Sequence, residues 1–493
     1  MNTGPARKLP VSRRRLLAGG AVAAAGPLLL PKGSALGYQA NERLNLAIIG
    51  PAGYCAANAF MPAMHIYDNV HVTALCDVDL RKVNPQLTIW KERARSWPNS
   101  TNAEMRRGAA TYVRLAEKMP PLVEDYRRLF DEHGDHIDAV VVATPDHSHA
   151  GPSALAIRAG KHVLTEKPLT ITVAESRTLK ALAAEHRVAT SLGNQGTQSP
   201  QFRRGLELLR EGTIGPVKEV LVWFDRGGRN LQEAPAGKHA VPAELNWDLW
   251  LGPVAWREYH PGWIARTHWR ETSAGELGNF GPHTANLAFM ALEVGKLWEV
   301  DDARIEVEAE CSSVNRLSFP TWEKITWRVP ARGDWPAATF QWHQGPKFPP
   351  GSRTMFEQRL RDFGATDADI SKLLLYAGAM IIGDKGALVT DSHNVNITLL
   401  PRDRFADIDT TKPHQVTASQ GHYRDWLHAC RGGPAPWAEY SYAATFNEFL
   451  MLGDVATRFA GDKLTYDPRA GRITNHAEGD QALSYEYRTG WRL

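Results

Sequence analysis

Lys167 stands at the end of a short apolar run, in the sequence Glu166-Lys167-Pro168. Proline fixes its own φ and restricts the residue before it to extended geometry, so the lysine is presented rigidly. An ammonium group held beside a carboxylate can polarise a hydroxyl or a carbonyl. Glu166 can form a salt bridge with the lysine and tune its pKa. We therefore predict that Lys167 is a catalytic residue.

Polar side chains follow two further apolar runs, 44–49 and 139–143. The first run leads into a turn that begins at Gly50. The second leads into the stretch Thr144-Pro145-Asp146-His147-Ser148-His149. The carboxyl ends of parallel strands meet at one edge of a sheet, where doubly wound folds bind their ligands. The chain therefore predicts an enzyme with a cofactor crevice at that edge.

The turn after the first run departs from the Gly-x-Gly-x-x-Gly pattern of dinucleotide-binding turns. Its three positions are Gly50, Ala52 and Cys55, with an additional Gly53. Asp77 ends the next apolar run, where a carboxylate accepts hydrogen bonds from ribose hydroxyls and repels a 2′-phosphate. We therefore predict NAD in preference to NADP. The alternative is that the glycines only shape a tight turn.

The predicted cofactor-binding residues are Gly50, Ala52, Gly53, Tyr54, Asp77, Thr144, Pro145, His149, Glu166 and Lys167.

Strands and helices alternate along residues 42–190, which predicts a doubly wound, parallel Rossmann sheet. Beyond about residue 200 the predicted strands are longer, their residues alternate in polarity and few helices separate them. This predicts an α/β protein whose second domain, 191–445, is an α+β unit with an open, mostly antiparallel sheet. The pattern of residues Phe446–Phe459 predicts an amphipathic helix late in the chain. We expect residues 446–493 to pack back on the body as this helix and a mostly irregular tail.

Residues 1–35 contain six basic side chains and no acidic one. The arginines Arg13, Arg14 and Arg15 precede a short apolar run, which predicts a twin-arginine signal peptide and a periplasmic or otherwise extracytoplasmic protein. The alternative is an uncleaved membrane anchor. After processing we expect no stable membrane span.

The formal net charge is +3, and removing the six basic side chains of residues 1–35 leaves −3. This mildly negative charge argues against nucleic-acid binding. The cysteines Cys55, Cys76, Cys311 and Cys430 are scattered along the chain. Their spacing predicts neither a disulfide framework nor a metal site.

Several stretches together resemble the Gfo/Idh/MocA oxidoreductases, the family of glucose–fructose oxidoreductase and inositol dehydrogenase. They are 144–149, 166–168, Gly193-Asn194-Gln195-Gly196 and Trp247-Asp248-Leu249-Trp250-Leu251-Gly252-Pro253. The stretch Glu486-Tyr487-Arg488-Thr489-Gly490-Trp491 is similar to exported members of that family. The resemblance implies a Rossmann domain, a carboxyl-terminal α/β domain, a nicotinamide cofactor, a sugar or polyol substrate and a homo-oligomer.

By this resemblance Lys167 contacts the reacting hydroxyl, and His283 falls at the position of the catalytic histidine. The family pattern Gly-Asp-x-Gly-x-His-x-x-Asp carries two aspartates, whereas this chain has Asn279 and Asn286. Asn279 can fix a histidine tautomer but cannot stabilise an imidazolium by charge. The predicted catalytic residues are Lys167, His283 and Asn279. The alternative for His283 is a histidine of the core.

Five tryptophans crowd a segment of 23 residues. They are Trp247, Trp250, Trp256, Trp263 and Trp269. Aromatic faces stack on the apolar faces of sugar rings, but we expect most of these side chains to fill the core between the domains. The predicted substrate-binding residues are Asn194, Gln195, Trp250, Arg270 and His283.

The predicted function is NAD(P)-dependent oxidation or reduction of a secondary alcohol on a sugar or polyol. A cell exterior lacks a free NAD pool, so we expect the cofactor to stay tightly bound. One alternative is a redox-neutral lyase or glycosidase that works through a transient keto-sugar. Another is a non-catalytic sugar- or nucleotide-binding protein, which Asn279, Asn286 and the altered glycine turn would suit.

Overall fold

The computed structural model describes residues 43–53 and 70–493. The predicted signal peptide, together with Tyr54 and Cys55, lies outside the described residues.

The first domain is built on a parallel six-stranded sheet with the strand order β3-β2-β1-β4-β5-β6. The strands are β1 Leu44–Ile49, β2 Val70–Cys76, β3 Leu122–Val123, β4 Ala139–Val142, β5 His162–Thr165 and β6 Thr190–Leu192. Every neighbouring pair is parallel. All four residues of β4 are buried, as expected for a strand covered on both faces. The predicted doubly wound sheet is confirmed.

The helices of this domain cover the two faces of the sheet. They are α1 Leu80–Ser96, α2 Ala103–Glu117, α3 Tyr126–His133, α4 Ala150–Arg158 and α5 Val173–His186. The side chain of Asp125 caps α3 by accepting a hydrogen bond from the backbone of Arg127. Thr172 and Glu175 form a reciprocal capping box at the start of α5, which satisfies otherwise unpaired backbone donors.

The second domain is built on a nine-stranded sheet with the order β13-β12-β11-β7-β10-β9-β8-β14-β15. Its strands are β7 Val217–Phe224, β8 Ile305–Cys311, β9 Glu323–Val329, β10 Ala338–Gln344, β11 Ala377–Gly383, β12 Ala387–Asp391, β13 Ile397–Leu400, β14 Leu464–Asp467 and β15 Arg472–Ile473. Within it β7 and β10 pair in parallel and the other recorded pairs are antiparallel. This confirms the mostly antiparallel second sheet.

The remaining helices are α6 Pro200–Arg210, α7 Trp247–Leu251, α8 Gly275–Thr284, α9 Asn286–Ala291, α10 Ser352–Asp362, α11 Asp367–Leu373, α12 His422–Cys430, α13 Tyr440–Arg458 and α14 Ala477–Gln481. Within the described ranges, no helix combines the length and apolarity that a bilayer crossing requires.

The carboxyl-terminal part departs from the prediction in three ways. The late helix α13 begins at Tyr440 rather than Phe446 and packs against both α5 and β8. The tail contributes β14 and β15 to the second sheet instead of staying mostly irregular. Helix α12 packs on the core of the first domain, although its residues fall within the range predicted for the second. Short strands and distant packing partners leave little local periodicity for a sequence reading to detect.

Arg270 was expected to bind substrate, but the structure uses it to fasten α13. Arg270 is 3% exposed, and its guanidinium donates hydrogen bonds to Asp454 Oδ1 at 2.6 Å and to Thr457 Oγ1 at 2.9 Å. It also donates to the backbone oxygens of Asn315 and Ser318. Burial lowers the pKa of Arg270, and the charge of Asp454 opposes that shift. The structure thus corrects the predicted role of Arg270.

Replacing Asp454 by alanine would leave the buried Arg270 without its charged partner. We expect Asp454→Ala to lower the free energy of unfolding by about 3–5 kcal/mol, because an unpaired buried charge is costly. Urea unfolding measures the change. Arg458→Ala is the matched control: Arg458 also contacts Asp454, at 3.0 Å, but its side chain is 26% exposed. We expect that loss to be about 1 kcal/mol or less. Equal, small effects of both substitutions would contradict the structural role of Arg270.

Candidate active site

A cavity of about 370 Å³ opens at the carboxyl edge of the six-stranded sheet. Nine of the ten predicted cofactor residues line it, and the tenth, Tyr54, lies outside the described residues. The nine are Gly50, Ala52, Gly53, Asp77, Thr144, Pro145, His149, Glu166 and Lys167. Leu249, Trp250, Trp263 and Arg266 line the side that faces the second domain. The cavity therefore lies between the two domains.

The glycine turn after β1 is pressed against the end of β4. Gly50 has φ +83°, and a Cβ there would lie 2.6 Å from the carbonyl oxygen of Ala143. A Cβ on Gly53 would overlap the same oxygen. Both positions therefore exclude side chains, and the turn presents backbone to the cavity beside the single methyl of Ala52. Such a turn suits the close approach of a pyrophosphate.

Asp77 follows β2 and faces the cavity. One of its oxygens accepts a hydrogen bond from the backbone of Asp79 at 3.0 Å. Burial, with a smaller contribution from the charge of Asp79, raises the pKa of Asp77 to about 6. A carboxylate at this strand end can accept hydrogen bonds from a ribose diol. The strand-end donors and acceptors therefore fit a dinucleotide without a 2′-phosphate.

Two histidines of the polar stretch after β4 fix the strand ends in place. The ring nitrogens of His149 lie 2.6 Å from the backbone oxygen of Pro168 and 2.9 Å from that of Thr144. Those of His147 lie 2.8 Å from the backbone oxygen of Trp250 and 3.2 Å from that of Thr272. Burial lowers the pKa of both histidines. They shape the cavity and, through His147, attach it to the second domain.

Lys167 reaches across the domain boundary to helix α8. Its Nζ donates hydrogen bonds to Asn279 Oδ1 at 2.8 Å and to the backbone oxygen of the same residue at 3.1 Å. Arg266 donates to the same Oδ1 at 2.7 Å. The Nδ2 of Asn279 donates to Glu276 Oε2 at 2.7 Å, one helical turn earlier. Two cations and one carboxylate therefore determine the orientation of the Asn279 amide.

His283 lies one turn beyond Asn279 and is buried. The Nδ2 of Asn194 donates to the backbone oxygen of Pro282 at 2.5 Å, so its Oδ1 faces His283 Nδ1 at 3.3 Å. An amide oxygen only accepts hydrogen bonds, so Nδ1 carries the proton and Nε2 keeps a lone pair. Burial, followed by the charge of Lys167, lowers the pKa of His283 well below its ordinary value. His283 is therefore a neutral imidazole at physiological pH.

Three residues near this centre were missed by the sequence reading. His393, in the turn after β12, lies beside His283 with ring centroids 4.4 Å apart. Its charged form, like that of His422, would lower the pKa of His283. Glu276 had a local signal, because it precedes Asn279 by three residues on a helix. The two histidines had none. Within the described part of the chain, no group of His, Cys, Asp or Glu side chains is arranged to hold a metal ion.

The predicted substrate-binding residues are placed differently from one another. His283 lies at the centre described above, and Asn194 is buried and positions it. The side chain of Gln195 donates to the hydroxyl of Tyr423 at 3.2 Å. Trp250 lines the cofactor cavity and stacks on Trp247 with centroids 4.9 Å apart. Asn194 therefore acts through His283, and Trp250 belongs to the cofactor side.

The tryptophan cluster fills the core, as predicted for most of its members. Trp247, Trp250, Trp263 and Trp269 are buried together with Tyr259. Trp256 is the exception and is 61% exposed.

Asp77 predicts a pH dependence of dinucleotide binding. Because its pKa is raised to about 6, the side chain takes up a proton where an ordinary aspartate is still ionised, and it then loses a hydrogen-bond acceptor. We expect the NAD affinity to fall about three- to tenfold between pH 7.5 and 5. Titration calorimetry measures it. Asp77→Asn is the matched control and should bind weakly with little slope over this range; an unchanged slope in that variant would contradict the assignment.

Comparison with known proteins identifies both domains. Residues 44–194 match the profile of an oxidoreductase family with an NAD-binding Rossmann fold. Residues 223–332 match the profile of the carboxyl-terminal alpha/beta domain of the same oxidoreductase family. Together the two matches cover more than half of the chain.

Several curated relatives carry sugar-related names, and two of them show the extent of the similarity. The chain is 37% identical over 102 residues to dTDP-3,4-didehydro-2,6-dideoxy-alpha-D-glucose 3-reductase of Actinomadura kijaniata. This alignment covers 21% of this chain and 30% of the relative. The chain is also 34% identical over 113 residues to scyllo-inositol 2-dehydrogenase (NADP(+)) of Bacillus subtilis. That alignment covers 23% of this chain and 32% of the relative. The matches thus span about a third of each relative's length.

A solved structure shares the fold over most of the chain. It is the WlbA dehydrogenase of Chromobacterium violaceum in complex with NADH and UDP-GlcNAcA, with a TM-score of 0.51 and 14% identity. The superposition covers 86% of this chain and 96% of that protein. With both domain profiles matched and the fold shared, the chain belongs to the Gfo/Idh/MocA oxidoreductase family, with an amino-terminal NAD-binding Rossmann domain and the family's carboxyl-terminal domain.

Proposed function

We propose that this protein is an NAD-dependent oxidoreductase that acts on a secondary alcohol of a sugar or polyol. The observation that carries the proposal is the hydrogen bond from Lys167, which lines the cavity, to Asn279, one helical turn before His283, together with the effect of the Lys167 charge on the pKa of His283. The cofactor supplies the acceptor or donor of a hydride when it is bound. The side chains of this centre supply proton transfer and orientation.

His283 is suited to act as the base for the substrate hydroxyl. Its Nδ1 faces Asn194 Oδ1, so Nε2 carries the lone pair that can accept the hydroxyl proton. Its lowered pKa keeps that lone pair available at neutral pH. The ammonium of Lys167 can orient the substrate oxygen and stabilise negative charge that develops on it. In the reverse direction the same groups return the proton to a carbonyl oxygen.

Glu276 supports catalysis over mere binding, because it supplies the negative charge that Asn279 lacks. The amide of Asn279 joins Glu276 to Lys167 through hydrogen bonds of 2.7 and 2.8 Å. The carboxylate of Glu276 therefore acts on the centre through one intervening amide, in place of direct contact. With Glu276 bonded to its amide, an asparagine at position 279 is compatible with an active centre.

The substrate class, location and assembly are parts of the same proposal. The names of the two curated relatives support a sugar-like substrate for the chain as a whole. Residues 13–15 support twin-arginine export to the periplasm, and a protein there would keep its NAD bound. We further propose a homo-oligomer, which light scattering of the purified protein tests.

A redox-neutral reaction is the second candidate. A transient keto-sugar would allow elimination, epimerisation or glycosidic cleavage, after which the hydride returns to the substrate. The observation that favours it is that Tyr487, Trp491 and Arg492 of the carboxyl-terminal tail line the cofactor cavity, where they would hinder cofactor exchange.

Anaerobic mixing of the NAD-loaded protein with aldoses, uronic acids and inositols tests the proposed function. We expect absorbance at 340 nm to rise with at least one substrate, and Lys167→Ala to slow the rise at least about 100-fold while NAD stays bound. Lys161→Ala is the control, because Lys161 immediately precedes the first residue of β5, at the opposite end of the strand from Lys167. This variant should react at the wild-type rate. No rise at 340 nm and no turnover with substrates that bind would instead favour a binding protein. Product analysis then separates keto-sugar release from bond cleavage.

The lowered pKa of His283 predicts the pH profile of the reaction. The acid limb of kcat/KM should lie below pH 6.5, the ordinary histidine value, because the base stays unprotonated at lower pH. Asn279→Asp places a negative charge one turn from His283 and should move that limb upward by about one pH unit. Asn475→Asp adds the same charge at an exposed site and should leave the limb in place. A limb that responds equally in both variants would exclude His283 as the titrating base.

A further inference from the structure

We propose that residues 485–493, here called the tail strap, form part of the dinucleotide site and slow the release of the cofactor. The strap supplies Tyr487, Trp491 and Arg492 to the same cavity that Gly50 and Asp77 line from the sheet edge. The inference rests on the NAD-binding domain and is independent of the proposed sugar chemistry.

The first anchor of the strap is a buried carboxylate of the first domain. The hydroxyls of Tyr485 and Tyr487 donate to Glu175 Oε1 at 3.2 and 2.6 Å. Glu175 is 3% exposed, and its other oxygen accepts hydrogen bonds from the backbone of Ile171 and Thr172 at the start of α5. Burial raises the pKa of Glu175, and the bond from Tyr487 opposes that shift. The strap is therefore bonded to a group that is already fixed in the fold.

The second anchor lies on the second domain. Arg488 donates to Asp248 Oδ1 at 2.5 Å and to the backbone oxygen of Gly252 at 3.1 Å. Its own backbone N–H donates to the oxygen of Pro253 at 2.9 Å. The Arg488 side chain is 14% exposed and that of Asp248 is 61% exposed, so the arginine is shielded from solvent while the carboxylate is open to it. Helix α7 and the turn after it thus hold the middle of the strap.

The third anchor returns to the first domain, at the start of α3. The guanidinium of Arg127 lies 4.4 Å from the ring centroid of Trp491 and donates to the backbone oxygen of Gly490 at 3.3 Å. The ring of Tyr126 lies 6.2 Å from that of Trp491, and Leu493 packs against the core of the first domain. The strap therefore connects both domains at the cavity.

The cavity-lining side chains of the strap match the chemistry of a dinucleotide. A dinucleotide offers a doubly charged pyrophosphate and flat rings. Arg492 provides positive charge for the former, and Trp491 and Tyr487 provide aromatic surface for the latter. Because the strap is attached on both sides of the cavity, loosening any anchor should give the cofactor an easier exit.

Displacement of NADH from the loaded protein by excess NAD, followed by NADH fluorescence, measures the release rate directly. We expect Trp491→Ala and Arg488→Ala each to speed release about tenfold or more, the first by removing a lining side chain and the second by freeing an anchor. Trp256→Ala is the matched control, since Trp256 is 61% exposed and lies outside the lining of the cavity. If Trp491→Ala impairs folding, Arg492→Ala takes its place in the test, because Arg492 is exposed and its removal should not disturb the fold.

Tryptic cleavage after Arg488 or Arg492 gives a second readout that needs no turnover. Saturating NADH should slow cleavage at both sites in the wild-type protein. Release rates of the strap variants within twofold of Trp256→Ala, or cleavage that NADH does not affect, would overturn the proposal. A protein that releases NADH faster in the strap variants yet oxidises no sugar would support the strap and refute only the proposed function.

Discussion

The hydrogen bond from Lys167 to Asn279 joins the two halves of the site, and the proposed chemistry depends on it. It spans the domain boundary at 2.8 Å, from a strand end of the first sheet to a helix that packs on the second. Burial, followed by the charge of this lysine, lowers the pKa of His283. A cation on one domain therefore contributes to keeping a base on the other domain neutral.

Charge at this centre is distributed differently from the family pattern. The carboxylate that would contact the lysine directly is replaced by an amide, and Glu276 supplies the negative charge one helical turn away. An amide can accept from Lys167 and Arg266 on its oxygen while it donates from its nitrogen. This arrangement leaves His283 without an adjacent anion, which is consistent with the direction of its pKa shift.

Other buried polar groups hold the domains in the arrangement that the site requires. His147 connects the polar stretch after β4 to two backbone oxygens of the second domain. Arg270 and Asp454 form a buried ion pair that fastens α13 beneath the second sheet. Glu175 receives two tyrosine hydroxyls from the tail strap. Breaking a buried, fully bonded group is costly, so each of these contacts restricts how far the domains can separate.

The architecture and most of the cofactor edge could be predicted from local sequence patterns. Alternating strands and helices specify a doubly wound sheet, and the residues that follow parallel strands must meet at one edge, so nine predicted residues lie at one cavity. These are consequences of local pattern and of a general rule of topology.

The division of polar side chains between the site and the fold depends on long-range packing, which no local pattern reveals. Arg270 and Asp454 are 184 residues apart, and His393 lies 110 residues beyond His283. Contacts over such separations leave no periodicity or spacing in the sequence, because they depend on how two sheets pack rather than on any single strand or helix. The tail strap belongs to the same class: its residues have a function only where Glu175, Asp248 and Arg127 are brought together around the cavity.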